Sequence, residues 1–310
     1  MCVIAGRTGS WAVARALVLI NSRSRSGADG ADAALTVLRA AGFDLRAPDP
    51  AGADLSDLIR AHAGGCDLVI AGGGDGTMNA AAPGLIDTGL PLGLLPLGTG
   101  NDLARTLGLP LSLPEAAQVI ADGHLRDIDV GEVNGRPFFN VASIGLSAEL
   151  AQKLDPSIKR RWGRLGYAIA SAKVLWRARP FTAEISDGEH RVRARTYQVA
   201  VGNGRYYGGG NAVHHAAEID DGVMHLYSLE VASVLRLVLL APFFRAGTHG
   251  RFEEVRAIES DEFDVITRRP RPINADGEIV GETPAHFRLR RNAVKVFAPR
   301  AVTQRALLTA

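Results

Sequence analysis

From residue 16 to about 129, short apolar runs alternate with stretches of helical periodicity. Residues 16–21 (ALVLIN) read as a buried strand, and over 31–41 the residues Ala34, Leu35, Leu38 and Ala41 recur on one face of a helix that Gly42 ends. A second strand follows at 43–46 and a helix at 55–63, with Asp54 or Ser56 as its cap. Strands at 67–71 and 92–95 complete the series, and the helix after the second is closed by Gly108 as a left-handed cap and Pro110 as a stop. Strand alternating with helix predicts a parallel sheet with crossover helices, doubly wound.

Past Asp129 the period shortens to that of strands separated by glycine turns. These are 130–133 with Asn134-Gly135, 138–142, 182–186 with Asp187-Gly188, and 192–201. A helix at 165–176, with Leu165, Ala168, Ile169, Ala172 and Trp176 on one face, interrupts them. The expected fold class is therefore α/β in two domains. Residues 14–130 would form the α/β domain, to which 299–310 return, and 131–298 a mainly antiparallel β domain.

The 310 residues carry 35 Lys+Arg against 33 Asp+Glu, a formal charge of +2 that gives no bulk reason to bind nucleic acid. The two cysteines, Cys2 and Cys66, stand far apart with no ligand cluster beside them, which argues against a disulfide framework or structural zinc and for a reducing cytoplasm. Met1 to Arg7 lacks the pattern of a signal peptide and reads as an extension. The most apolar stretch, 231–244, contains Arg236 and Pro242 and is too short to span a bilayer. No lysine occurs before Lys153, so a P-loop lysine is excluded from the first half.

Chemistry enters at 68–79, LVIAGGGDGTMN, where a buried strand runs into Gly72, Gly73, Gly74, Asp75, Gly76 and Thr77 and then a helix containing Asn79. Successive glycines at such a turn let backbone N–H groups approach phosphate oxygens, and the helix dipole adds to the attraction. A carboxylate inside the loop would repel bare phosphate, so Asp75 suits magnesium or a ribose hydroxyl. A second strand-to-helix turn, 91–105, brings Thr99 and Asn101 to the carboxyl edge of the sheet, where ligands of open parallel sheets bind. Asp102 beside them also reads as an ordinary first-turn helix charge.

Taken in order, Gly-Gly-Asp-Gly-Thr (73–77), Leu-Gly-Thr-Gly-Asn-Asp (97–102), Asp-Val-Gly (129–131), Asn-Gly-Arg-Tyr-Tyr-Gly-Gly-Gly (203–210), Asp-Asp-Gly (220–222) and Asp-Gly-Glu (276–278) resemble the diacylglycerol kinase catalytic family, in particular its small bacterial lipid kinases. The resemblance covers residues 16–299. It implies an ATP-dependent, magnesium-requiring kinase for a lipid alcohol, diacylglycerol or a related glycerolipid. By the same resemblance Asn21, Gly73 to Asn79 and Thr99 are nucleotide contacts, and Asp75, Asp102 and Asp129 are the acidic set around nucleotide and metal. A second, structural magnesium would take the Asp221 carboxylate with the carbonyls of Glu218 and Val223. Asp276 and Glu278 correspond to the catalytic acidic pair, one of them accepting the substrate proton. Phosphoryl transfer needs positioned charge and a proton acceptor, which two carboxylates on a tight turn supply.

The chain departs from the family in places. It has Asn21-Ser22-Arg23-Ser24-Arg25-Ser26-Gly27 where Asn-Pro and then Ser-Gly are usual, so Arg23 or Arg25 would supply charge to phosphate there. Arg46-Ala47-Pro48 stands where a Thr is expected, and His214-His215 reads as a loop substitution rather than a metal pair. An NAD kinase-like enzyme shares the glycine loop, but a Gly-Ser-Thr-Ala-Tyr-like segment is missing; an inactive nucleotide-binding relative is disfavoured by intact Asp75, Asp276 and Glu278. A lipid substrate met without a transmembrane helix requires peripheral attachment to the inner membrane face. Residues 156–183, with seven basic and no acidic side chains around Trp162, Tyr167 and Trp176, are the candidate contact. A homodimer stays open.

Overall fold

Three apolar strands, a short polar one and the helices between them build the first half of the chain. The computed structural model describes residues 13–20, 27–48, 52–153, 176, 178–204, 206–207, 211–212, 218–233, 236 and 254–300. In order come Arg15–Ile20 (β1), Gly27–Ala40 (α1), Asp44–Arg46 (β2), Leu55–His62 (α2), Leu68–Gly73 (β3), Asp75–Thr88 (α3), Leu92–Pro96 (β4), Asp102–Thr106 (α4) and Leu113–Asp122 (α5). The strands are parallel in the order β2-β1-β3-β4. Register pairs Ile20 with Gly72 and Gly73 with Pro96, so β3 and β4 end side by side at the two glycine turns.

Local chemistry accounts for the details. Asp54 caps α2 by accepting the Asp57 amide at 3.1 Å. Ser56, the other candidate, is buried against α3 instead, donating to the Ala80 carbonyl at 2.7 Å and accepting from the Gly84 amide at 3.0 Å. Gly84 makes that approach feasible, since a Cβ there would lie 2.8 Å from the Ser56 Cα. The helix α1 begins four residues before the expected 31. The helix α5 is not among the expected elements, yet Leu113, Ala116, Ala117 and Ile120 form a buried stripe at helical spacing and share a core with Leu38, Ile70 and Leu95.

The chain forms two compact units: Met1–Gly98, Leu107–Asp127 and Val294–Ala310 make one, and Thr99–Thr106 with Ile128–Ala293 the other. The second unit is built from Leu125–Val133 (β5), Arg136–Phe138 (β6), Val141–Gly145 (β7), Leu146–Lys153 (α6), Phe181–Ser186 (β8), Arg191–Thr196 (β9), Gln198–Gly202 (β10), Tyr206–Tyr207 (β11), Asn211–Ala212 (β12), Met224–Leu229 (β13), Val255–Ser260 (β14), Glu262–Thr267 (β15), Pro272–Ala275 (β16), Glu278–Glu282 (β17) and Ala285–Phe297 (β18). One sheet runs β14-β13-β10-β7-β16-β17. In the other, β18, β15, β8 and β9 are adjacent, with β5 pairing to β18 and β6. Their inner faces share a core in which the rings of Phe138 and Phe287 meet edge to face at 6.4 Å.

The Asn134-Gly135 turn has both residues at positive φ, 50° and 77°, as a two-residue hairpin requires. Two expected strands are each divided. Residues 138–142 break at Phe139-Asn140 between β6 and β7, and 192–201 turn at Tyr197 between β9 and β10, which lie in different sheets. The Thr196 hydroxyl shapes the second break, accepting the Gln198 amide and bonding the Gln198 and Leu229 carbonyls. The last residues of β18 belong to the first unit, where Val296 pairs in parallel with Leu92. Of the expected helix at 165–176 only Trp176 falls within the described residues. Among those residues no helix is long and apolar enough to cross a membrane.

Candidate active site

In the first unit the completely buried β3 delivers its chain into Gly73 and Gly74, and α3 starts at Asp75. Gly74 is the N-cap and no side chain caps the helix, which leaves its amino end to a ligand. Both glycines are required by close approaches. A Cβ on Gly73 would fall 2.2 Å from Thr77 Oγ1, and one on Gly74 would fall 3.1 Å from the Cα of Gly98 in the second turn. The Gly73 carbonyl also receives the Leu97 amide at 3.0 Å. Gly76 and Thr77 complete the first helical turn, and Asn79 carries a buried Oδ1 with no hydrogen-bond partner. A bare helix start, glycines that admit nothing larger and an orphaned buried acceptor fit a nucleotide. Asn21, with Arg23 and Arg25, lies outside the described residues.

The remaining candidate residues lie in the second unit. Thr99 is exposed, whereas Asn101 and Asp102 are buried, Asn101 at a positive φ of 52°. Asp129, 2% exposed, accepts the Gly222 amide on Oδ2 at 2.9 Å and the Asn292 amide on Oδ1 at 2.7 Å. Its carboxylate thus ties the 219–222 turn to β18. The turn itself closes on Asp221, whose carboxylate accepts the amides of Glu218 at 3.0 Å and Val223 at 3.1 Å. Amides of Glu218 and Val223, rather than their carbonyls, face this carboxylate; the Glu218 carbonyl receives the Asp221 amide. His225 Nε2 lies 3.1 Å from Asp221 Oδ2, and its Nδ1 lies 3.2 Å from Glu259. Burial opposes ionisation of Asp221, but the His225 imidazole and the two amides outweigh it and hold the carboxyl below its ordinary range. The ionised carboxylate is a hard oxygen donor of the kind magnesium takes, while the Glu218 carbonyl expected beside it is engaged by the Asp221 amide.

Asp276 and Glu278 separate sharply. Asp276, at φ 45°, accepts the Phe139 amide on Oδ2 at 2.7 Å, the Val141 amide on Oδ1 at 2.8 Å, and the Asn140 amide on both oxygens at 3.1 and 3.2 Å. It therefore anchors the break between β6 and β7. Glu278 opens β17 opposite Ala275, is exposed, and its carboxylate makes no hydrogen bond or ion pair among the described residues. Three further polar residues were not singled out from sequence: Thr106, Asn140 and Asn203. The Asn203 carboxamide donates to the carbonyls of Asp129 at 3.0 Å and Phe139 at 2.8 Å, joining the Asp129 and Asp276 regions. The quoted motif at 203–210 held one of these, but its role as a tie is visible only in three dimensions.

Comparison with known proteins fits this construction. The family model described as diacylglycerol kinase catalytic domain matches residues 15–133, and that of the YegS C-terminal NAD kinase beta sandwich-like domain matches 140–298. A diacylglycerol kinase of Mycobacterium tuberculosis is 32% identical over 311 residues, covering 96% of this chain and 99% of its own. One from Bacillus subtilis is 32% identical over 226 residues, covering 71% and 74%. The crystal structure of a diacylglycerol kinase from Bacillus anthracis shares the fold, with a TM-score of 0.77 at 24% identity over 93% of this chain and 98% of that one. The two matched family domains and the named relatives define a lipid kinase. The chain belongs to the diacylglycerol kinase family, in its bacterial branch.

Proposed function

We propose that this lipid kinase transfers the γ-phosphoryl group of ATP to the hydroxyl of diacylglycerol or a related glycerolipid, with magnesium. The observation that carries the reading is the division of labour in Asp276-Gly277-Glu278: one carboxylate is engaged by three backbone amides while the other is exposed and unpaired. Glu278 accepts the proton of the attacking hydroxyl, and Asp276 fixes the turn that presents it. The glycine turn at Gly73 and Gly74 and the start of α3 would hold the nucleotide phosphates, with Asp75 as the carboxylate available to the metal there. Magnesium, when bound, neutralises the charge that develops on the transferring phosphoryl group. The Asp221 carboxylate would hold a second ion, with Asp129 bracing its turn.

The lipid is reached from the membrane surface, at the cytoplasmic leaflet. Basic and aromatic side chains in 156–183 support this; within that segment only 176 and 178–183 are described, and there Trp176 and Arg179 are exposed. Incubation with labelled ATP and lipid extract, followed by mass spectrometry of the product, tests the reading. Label should enter a glycerolipid, require magnesium, and disappear in Asp75→Ala. Label entering NAD instead, or no lipid product at all, would overturn it.

A further inference from the structure

Residues 99–106 follow directly from β4 of the first unit, yet they belong by packing to the second. The helix α4 packs against β11, and a polar contact adds to that packing. Thr106, the last residue of α4, donates its hydroxyl to Asn140 Oδ1 at 3.0 Å and accepts the Tyr206 amide at 3.4 Å. Because an amide already points at the threonine oxygen, the hydroxyl proton must point away from it, toward the carboxamide oxygen. The orientation of the Asn140 side chain is thereby set.

Asn140 is buried and every other polar group but one is engaged. Its amide donates to Asp276, and its carbonyl accepts the amides of Asn203 at 2.8 Å and Gly204 at 3.1 Å. Gly204 is required here, since a Cβ would lie 2.8 Å from Asn140 Oδ1 and 3.2 Å from the Thr106 methyl. The remaining group, Nδ2, is buried with no hydrogen-bond partner. An orphaned buried donor is unfavourable, and simple packing would favour an apolar residue at this point. Its retention points to a function for the oxygen on the same carboxamide.

We infer that Thr106 and Asn140 form a positioning junction: through one hydroxyl-to-carboxamide bond, the short helix carrying Asp102 is held in fixed register with the Asp276 anchor, so that two acidic groups 174 residues apart in sequence keep one geometry. Neither residue touches the reacting atoms in this account. Each acts through the acid it places. The junction rests on the kinase reading for its consequence in turnover, but its existence as a restraint on α4 does not.

Thr106→Val removes the hydroxyl at nearly constant shape, and Thr106→Ser keeps it. Displacement of a positioned group by a fraction of an ångström to an ångström lowers turnover by roughly 10- to 100-fold. Thr106→Val should therefore lose kcat by that factor with KM for ATP within about twofold, and Thr106→Ser should recover kcat to within about threefold of the parent. Amide hydrogen exchange on the unliganded proteins should show faster exchange at 101–106 in Thr106→Val, with β4 unchanged. Wild-type kcat in the valine variant, equal losses in the valine and serine variants, or unaltered exchange at 101–106 would each overturn the junction. If the parent protein phosphorylates no lipid alcohol, the kinase reading fails instead, and the exchange measurement alone decides the junction.

Discussion

Asp276→Asn and Glu278→Gln should come apart in a way that their shared turn conceals. At Asp276 the substitution keeps one oxygen and replaces the other with an NH2 group. Since Oδ2 receives Phe139 and Oδ1 receives Val141, either amide orientation aims a donor at a backbone donor. One charge-assisted bond is lost, a backbone amide is stranded, and the surviving bonds become neutral. With hydrogen bonds to charged groups contributing about 1.5–3 kcal/mol, the expected loss of stability is about 2–4 kcal/mol. Asparagine tolerates the positive φ of 45°, so no backbone strain is added. For an unfolding slope of about 3 kcal/mol per M, that loss lowers the urea midpoint by roughly 1 M. Glu278 has no partner to lose, and Glu278→Gln should stay within about 0.5 kcal/mol of the parent while kcat falls roughly 100-fold. Urea titration followed by fluorescence, run beside a phosphorylation assay, reads both quantities. An unshifted midpoint in Asp276→Asn would refute the anchor, and normal turnover in Glu278→Gln would refute the proton acceptor.

Gly74→Ala should weaken ATP binding about tenfold, by the order expected for disturbing a positioned contact, because its methyl would lie 3.1 Å from the Gly98 Cα and the two glycine turns must give by a few tenths of an ångström; calorimetric titration with ATP checks this. Asp129→Asn should cost about 2–3 kcal/mol in thermal unfolding, since the amides of Gly222 and Asn292 each need an acceptor. Burial pushes the Cys66 thiol up, so at pH 7.5 in a Cys2→Ser background its reaction with a maleimide should be roughly tenfold slower or more than that of the urea-unfolded protein. Equal rates in the two states would show that the thiol is open to solvent.

The parallel unit was legible because its signals are local. Strands buried on both faces give unbroken apolar runs such as residues 68–71, and the glycines that follow are dictated by contacts within a few residues, as between Gly73 and Thr77. The antiparallel unit was legible in its hairpin turns and in single strands such as 182–186, which lies within β8, but not in how the strands pair. Alternation is plain in Glu262–Thr267 and in the first half of β18, but it names no pairing partner, and the change of sheet at Tyr197 depends on a hydroxyl bonded across to Leu229. The candidate site followed the same rule. Its residue types could be named from motifs, but that Asp276 is an anchor and Asp129 a brace depends on amides 135 and 163 positions away, at Val141 and Asn292, which no local pattern encodes.

The thirteen residues of β18 bear on how the protein is made. The α/β unit obtains the strand beside β4 from residues near 296, so during synthesis β4 stays an open sheet edge until nearly the whole β-sandwich has emerged. Sequential release from the ribosome therefore cannot complete the first unit before the second. Closure waits on a contact spanning some two hundred residues, which places this chain among slow, high-contact-order folders and leaves an unpaired hydrophobic edge exposed to association in the interval.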